Sequence, residues 1–197
     1  GGTERTEMAA HASRRRLIGA LAAAGALGPA GISGLIREAL AAGATPVAPG
    51  MHKMRGTVTV NGQPAREGQL LRPGDTIATG PKSEAIYVIG QDAFLQREKS
   101  TVSFAGDAVA SIMRVISGGI LSVFGKGEKQ LQVPTATIGI RGTGCYIEAT
   151  EKSVYFCLCY GIAEVAPKAD PGRVERIETR HHDRPMTINN DPSMPTM

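Results

Sequence analysis

Short apolar runs, closely spaced and separated by glycine, proline or asparagine, are the feature that most restricts the fold of this chain. No stretch beyond residue 45 keeps the 3.6-residue apolar period of a helix over three turns, and residues 105–112 form the best, though short, helical candidate. The pair Asn61-Gly62 closes an alternating run and is a strong hairpin signal. Further strand candidates lie at residues 84–89, 93–97, 101–104, 113–116, 120–124, 131–133, 137–140, 145–149, 154–159, 163–165 and 174–178. The sequence therefore predicts an all-β fold for residues 50–180, of the compact sandwich, barrel or solenoid kind.

The composition supports a packed core built from aliphatic side chains. Apolar residues make up 42% of the 197 residues and aromatic residues only 4%, so valine, isoleucine, leucine and alanine must fill the interior. The 25 glycines and 12 prolines favour many turns and short strands over long helices. Residues 181–197 are polar and interrupted by proline, and we expect a tail with little order after Pro185.

A basic and then apolar segment near the start of the sequence has the composition of an export signal. Arg14 and Arg15 precede a run rich in alanine, leucine and glycine. Paired arginines before such a weakly hydrophobic run are typical of the twin-arginine (Tat) pathway. We therefore expect residues 1–44 to form a Tat signal helix that directs the protein to the periplasm. Resemblance to this signal class also implies a cargo that crosses the membrane folded.

Three further expectations concern this segment. Cleavage would follow residues 39–41 or residues 42–44, where small side chains recur. If the segment is retained, residues 17–36 are about as long as a bilayer-spanning helix and would act as a membrane anchor. A native start at Met8 would give a compact basic region before the apolar run.

Charge and motifs exclude several classes of function. The net charge of +4 comes partly from the export segment, which leaves a mixed surface rather than the basic face of a nucleic-acid-binding protein. The sequence has no glycine-rich phosphate loop, nucleophile elbow or HExxH pair. Asp75 follows Pro73 and Gly74 and is expected to cap a turn. Because no group of residues is set for proton transfer or nucleophilic attack, we predict no catalytic residues and a non-enzymatic protein.

Four segments together resemble the periplasmic domain of the FecR family of iron-transport regulators. They read GTVTVNGQPA at residues 56–65, LRPGDTIATG at residues 71–80, GIL at residues 119–121 and, most distinctive, PTATIGIRGT at residues 134–143. The similarity extends over residues 56–165. It implies a domain with sandwich and solenoid-like elements that relays a signal from an outer-membrane transporter to a cytoplasmic sigma factor.

The chain departs from this family in two respects. At most 13 residues precede Arg14, too few for a domain, so we expect the sigma-binding part to belong to a separate protein. In addition, Cys145, Cys157 and Cys159 stand where the family usually has apolar residues. These cysteines are the distinctive feature of the sequence.

The three cysteines lie in two adjacent strand candidates. Cys157 and Cys159 would point to one face of a regular strand, with Cα atoms about 7 Å apart, at the upper limit for a disulfide. A three-residue turn would place Cys145 opposite Cys157, with all three sulfurs on one face. A loop of residues 150–153 would instead pair Cys145 with Leu158 on the other face, although a bulge near Cys159 could still bring Cys145 and Cys159 together. Both registers are compatible with the sequence.

Three interpretations of the cysteines stay open: small buried core residues, one disulfide with one free thiol, or ligands of a metal. Thiolate and imidazole ligands suit zinc, copper or an iron–sulfur centre, so the metal hypothesis assigns Cys145, Cys157, Cys159, His181 and His182 to one site. We expect an exported FecR-like binding or accessory module that carries this site and serves a membrane or redox assembly through a protein partner. The alternative is a FecR-type signalling module without its own sigma-binding domain.

Overall fold

The computed structural model describes residues 48–106, 111–125, 127–180 and 184–190, with the backbone alone at residues 142 and 143. These residues form thirteen strands, and no helix among them is long and apolar enough to cross a membrane. The strands are β1 (Gly50–Arg55), β2 (Val58–Val60), β3 (Gln63–Pro64), β4 (Thr76–Thr79), β5 (Glu84–Ile89), β6 (Asp92–Gln96), β7 (Thr101–Gly106), β8 (Ser111–Val123), β9 (Glu128–Val133), β10 (Ala136–Ala149), β11 (Ser153–Pro167), β12 (Glu175–Thr179) and β13 (Met186–Asn189). The predicted all-β class is confirmed, whereas the predicted signal helix and anchor lie outside the described residues.

The three longest strands, β8, β10 and β11, each take part in two lobes of the sheet. The first lobe has the order β1-β5-β6-β8-β10-β11-β13 and uses the second halves of β8 and β10 and the first half of β11. The second lobe has the order β3-β2-β4-β7-β8-β9-β10-β11-β12 and uses the other halves of these strands. The lobes are therefore continuous through three shared strands.

One hydrophobic core lies between the two lobes. Tyr87 and Phe94 of the first lobe contact Phe104 of the second, with ring centroids 5.9 and 5.0 Å apart. Alternate residues of the surrounding strands add buried aliphatic side chains to the same cluster. Because each lobe turns one face toward this cluster, the described residues form a sandwich-like architecture.

A buried amide also joins the lobes. Gln96 of β6 accepts a hydrogen bond from the Tyr87 hydroxyl at 2.8 Å through Oε1. Its Nε2 donates to the carbonyls of Ile77 in β4 and Ser100, at 3.0 and 2.9 Å. All the polar atoms of this side chain are thus satisfied within the core, as a buried amide requires.

A glycine marks the point where β8 passes from one lobe to the other. Gly118 has φ +80°, and a β-carbon there would lie 2.2 Å from Ser100 Oγ and 2.6 Å from Ser100 Cα. The same hydroxyl accepts the backbone N–H of Gly119 at 2.9 Å. Both the left-handed conformation and the close approach require glycine at residue 118.

Several strand candidates of the sequence are parts of longer strands. The prediction for residues 84–89 matches β5 in full, while the candidate at residues 113–116 and all but the last residue of the candidate at 120–124 lie in the single strand β8. The helical prediction for residues 105–112 is wrong where the structure describes it. Ala105 pairs with Ile112 between β7 and β8, so cross-strand pairing determines this conformation.

The strand β13 was not predicted. The expectation of little order after Pro185 is wrong for Met186–Asn189, which pairs with the first part of β11. Met186 and Ile188 are buried in the core. Tertiary packing orders this short polar-flanked segment, and no local signal indicated it.

Candidate functional site

The strand β11 passes from the first lobe to the second at the segment that contains Cys157 and Cys159. Pairing with β10 reaches Leu158 opposite Cys145 and resumes with Tyr160 opposite Gly144, which leaves Cys159 as the extra residue of a β-bulge. Gly161 follows at once with φ +102°. The backbone therefore bends within the segment that carries Cys157 and Cys159.

The register of β10 and β11 decides between the two arrangements that the sequence left open. Ala149 pairs with Val154, and the Thr150 hydroxyl closes the intervening loop by donating to the Ser153 carbonyl at 2.9 Å. Cys145 therefore pairs with Leu158 and joins the core cluster. The arrangement with Cys145 directly opposite Cys157 does not occur.

Cys157 lies on the face of the first lobe that is turned away from the core. It ends a cross-strand row in which each residue pairs with the next, in the order Ile86, Leu95, Leu121, Tyr146 and Cys157. Apart from Tyr146, these side chains are buried although they do not belong to the core cluster. The thiol thus has a mainly apolar environment.

The two cysteines of β11 influence each other and have two tyrosines as neighbours. Cys157 raises the pKa of Cys159, whereas the backbone of Tyr146 lowers it. Cys157 also raises the pKa of Tyr155. The two thiols and the two tyrosines therefore form one electrostatically linked group.

Burial and neighbouring thiols raise the pKa of two of the three cysteines. Burial raises the pKa of Cys145, and the nearby Cys157 raises it further. The hydrogen bond to Cys157 is the largest cause of the raised pKa of Cys159, followed by burial. Burial and then Cys157 also raise the pKa of Tyr155.

Two aromatic rings pack against each other on the adjacent strands β10 and β11. The rings of Tyr146 and Tyr155 lie with centroids 6.3 Å apart, and the Tyr146 hydroxyl donates to Glu148 Oε2 at 3.3 Å. Tyr155 is 40% exposed, whereas Cys157 is 7% exposed and Cys159 is 2% exposed. Both cysteines are therefore buried, while the neighbouring Tyr155 reaches solvent.

The predicted ligands His181 and His182 lie outside the described residues. The strands on either side of them pair with β11 on the same edge, Thr179 opposite Gly161 and Met186 opposite Phe156. The described ends of that connection therefore flank residues 157–160. The metal hypothesis stays a prediction with respect to both histidines.

The three predicted cysteine ligands lie on the adjacent strands β10 and β11. Cys145 belongs to the core cluster and Cys157 and Cys159 do not, although Cys145 interacts electrostatically with both. Across the part of the chain that the structure describes, no three histidine, cysteine, aspartate or glutamate side chains are grouped to hold a metal ion. The sequence analysis did not assign Tyr146 or Tyr155 to the candidate site. The alternation of Tyr155, Cys157 and Cys159 along one strand candidate was the signal that could have indicated Tyr155.

A surface groove of about 360 Å³ in the second lobe has no cysteine in its lining. Its rim carries the ion pair of Arg141 Nη2 with Glu128 Oε1, 2.6 Å apart and formed by two exposed side chains. The Arg141 guanidinium is therefore paired with the Glu128 carboxylate.

Asp75 caps its turn as predicted, because its Oδ2 accepts the backbone N–H of Arg72 at 2.8 Å.

The fold has known counterparts among solved structures. Two crystal structures of a "putative anti-sigma factor" from Parabacteroides distasonis ATCC 8503, at 1.65 and 2.50 Å resolution, match with a TM-score of 0.53 and 10% sequence identity. Each match covers 62% of this chain and 57% of the other, so the chain spans little more than half the length of these structures. No protein-family model and no curated protein matches the sequence. At this identity the similarity concerns the fold alone.

Proposed function

We propose that this protein is an exported signalling module of the FecR type, which responds to a protein partner in the periplasm and performs no catalysis itself. The observation that carries the proposal is the fold shared with the crystal structures of the Parabacteroides protein. The FecR-like segments of the sequence support the same assignment. Export by the Tat pathway and the periplasmic location are parts of this proposal.

The positions of the FecR-like segments in the fold support a common architecture. PTATIGIRGT begins in the turn between β9 and β10 and ends at residues 142 and 143, where the pairing of β10 with β11 shifts register between the lobes. LRPGDTIATG contains the turn capped by Asp75 and then β4. Both segments thus occur at points where the chain must turn, so the resemblance concerns features that the fold needs.

Deletion of the gene in its source organism, followed by transcript profiling, tests the signalling proposal. We expect a coherent set of genes under one sigma factor to change expression. The wild-type chain should restore the original pattern, and a matched variant with Arg14→Lys and Arg15→Lys, made in equal amount, should not. A transcript profile unaffected by deletion under iron-replete and iron-starved growth contradicts the proposal.

A second candidate function is a periplasmic accessory module that carries a metal. The placement of Cys157 and Cys159 at one bulge of β11, both buried, supports it, because thiolates are ligands for such metals. In its full form this candidate includes Cys145, His181 and His182 as ligands. Elemental analysis of protein purified from the periplasm tests it, and metal-free protein with a native disulfide contradicts it.

A further inference from the structure

We propose that the edge strand β12 binds β12 of a second copy of this chain, so that the second lobes of two copies form one continuous antiparallel sheet. The register places Ile177 opposite Ile177 of the other copy and Arg176 opposite Glu178. This inference goes beyond the signalling proposal and does not depend on it.

Of the sheet edges that the described residues form, β12 suits further pairing best. It pairs with β11 on one side, and no other described strand pairs with it. At the opposite end of the second lobe, β3 has only two residues, one of them Pro64, which has no N–H to donate. In the first lobe, Met51 of β1 already donates to the Gln69 carbonyl at 2.8 Å and accepts the N–H of Gly68 at 2.7 Å. Strand β13 has four residues and no charged side chain to fix a register.

The side chains of β12 alternate between the core and solvent. Ile177 is fully buried, while Arg176 and Glu178 are exposed on the face of the second lobe that is turned away from the core. Arg176 lies opposite Glu164 of β11 and Glu178 lies opposite Ile162, but within the described part of the chain neither Arg176 nor Glu178 forms an ion pair. The edge thus presents two opposite charges, placed symmetrically about its middle residue.

Two-fold symmetry restricts the registers in which β12 can pair with its own copy. Residues directly opposite each other in an antiparallel pair point to the same face of the sheet. When a two-fold axis perpendicular to the sheet relates the strands, one residue must therefore lie opposite its own copy. For the five residues Glu175–Thr179, only the register centred on Ile177 pairs all of them. In that register Arg176 and Glu178 meet twice, once on each side of the axis.

The charges of β12 favour this register over its two neighbours. Centring the pair on residue 176 places Arg176 opposite itself, and centring it on residue 178 places Glu178 opposite itself. Opposite charges directly across an antiparallel pair stabilise it, whereas like charges destabilise it. A parallel pair in register would also place each charge opposite its own copy. Charged residues commonly protect edge strands from pairing, and here they act against the neighbouring registers but not against the one centred on Ile177.

Sedimentation equilibrium of the full chain, from about 1 µM to about 500 µM, tests the inference. We expect a reversible monomer–dimer equilibrium that weakens as salt is added, because the charge pairs are exposed. Arg176→Glu and Glu178→Arg should each weaken self-association at least about 10-fold, since each replaces two opposite-charge pairs by two like-charge pairs. The matched controls Lys152→Glu and Glu151→Arg make the same charge changes at exposed positions in the loop between β10 and β11 and should dimerise as the wild type does. Unchanged self-association in both β12 variants overturns the inference.

A mixture of the two β12 variants separates pairing at this edge from other effects of the substitutions. The Arg176→Glu chain is negative at both exposed positions and the Glu178→Arg chain is positive at both, so a mixed dimer regains both opposite-charge pairs. We expect the mixture to dimerise although neither variant does so alone at the same concentration. Neither a folding defect nor association through the apolar residues 17–36 produces this recovery. A mixture that stays monomeric overturns the inference.

Hydrogen exchange of the wild-type chain, followed by mass spectrometry below and above its dissociation constant, locates the interface without any substitution. We expect the added protection at high concentration to be confined to the peptide that contains Glu175–Thr179, because pairing engages the outward backbone groups of that strand. A chain that stays monomeric at every concentration, or a dimer whose added protection lies elsewhere, overturns the inference. Both outcomes leave the transcript response to gene deletion unchanged, so they are separable from a failure of the signalling proposal.

Discussion

Replacing Gln96 by methionine should destabilise the protein strongly, although the two side chains have similar size. Gln96 is fully buried and makes three hydrogen bonds, to the Tyr87 hydroxyl, the Ile77 carbonyl and the Ser100 carbonyl. The Ser100 carbonyl keeps another donor in the backbone N–H of Thr79, 2.9 Å away. The Tyr87 hydroxyl, in contrast, loses its acceptor inside the core.

The expected loss follows from these partners. Each lost hydrogen bond contributes about 1 kcal/mol, and a buried hydroxyl without an acceptor costs about 1–3 kcal/mol. Gln96→Met should therefore lower the free energy of unfolding by about 3–5 kcal/mol. Tyr87→Phe alone should cost about 1–2 kcal/mol. The double variant should fall short of the sum of the two losses by about 1–3 kcal/mol, because it no longer contains the orphaned hydroxyl.

Urea unfolding of the wild type, both single variants and the double variant measures this coupling. The comparison requires equal m-values, since a changed slope would indicate a change in compactness. Losses that add to within about 0.5 kcal/mol would show that Tyr87 and Gln96 do not depend on each other and would refute the reasoning. A Gln96→Met loss below about 1 kcal/mol would show that the amide does not hold the lobes together.

Three further predictions concern the backbone, the thiols and export. Gly118→Ala should destabilise the fold by more than about 3 kcal/mol in urea unfolding, because its β-carbon meets Ser100, whereas Gly90→Ala, at φ +61° with open space around it, should cost only about 1 kcal/mol. Equal losses for the two would contradict the steric part of this argument. Burial raises the pKa of Cys145, so the unfolded chain releases a proton above about pH 8.5 that the folded protein retains, and stability should decline by about 1.4 kcal/mol per pH unit for this thiol. Cys145→Ala should make that decline shallower, and an unchanged slope would count against it. Changing both Arg14 and Arg15 to lysine should leave the precursor in the cytoplasm in a fractionation assay, and normal export would speak against the Tat pathway.

Local patterns predicted the strands but not how they continue. The prediction for residues 84–89 succeeded because residues typical of turns flank β5 in the sequence. The candidates at residues 145–149 and 154–159 were also correct, yet both belong to longer strands that cross between lobes. In the sequence, the glycines within these longer strands indicated strand ends. In the fold, they lie where the strands bend. Strand β13 had no signal, because its order comes from packing against β11.

The candidate site was predictable as a set of residues but not as a geometry. Cys157 and Cys159 were recognisable from their alternation, and a bulge near Cys159 was among the anticipated arrangements. The face of the sheet on which Cys145 lies depends on whether the loop between β10 and β11 has three residues or four. No local sequence pattern determines that length. The effect of the Tyr146 backbone on the pKa of Cys159 could not be predicted, since it depends on the register of a neighbouring strand.

The bend of β11 and the placement of its cysteines depend on the same short segment. β11 takes part in both lobes because its backbone bends at residues 159–161, where Cys159 is the extra residue of the bulge and Gly161 has φ +102°. A strand that stayed regular would carry its second half away from β12. The change of lobe therefore constrains the residues around Cys159, whatever the function of the thiols.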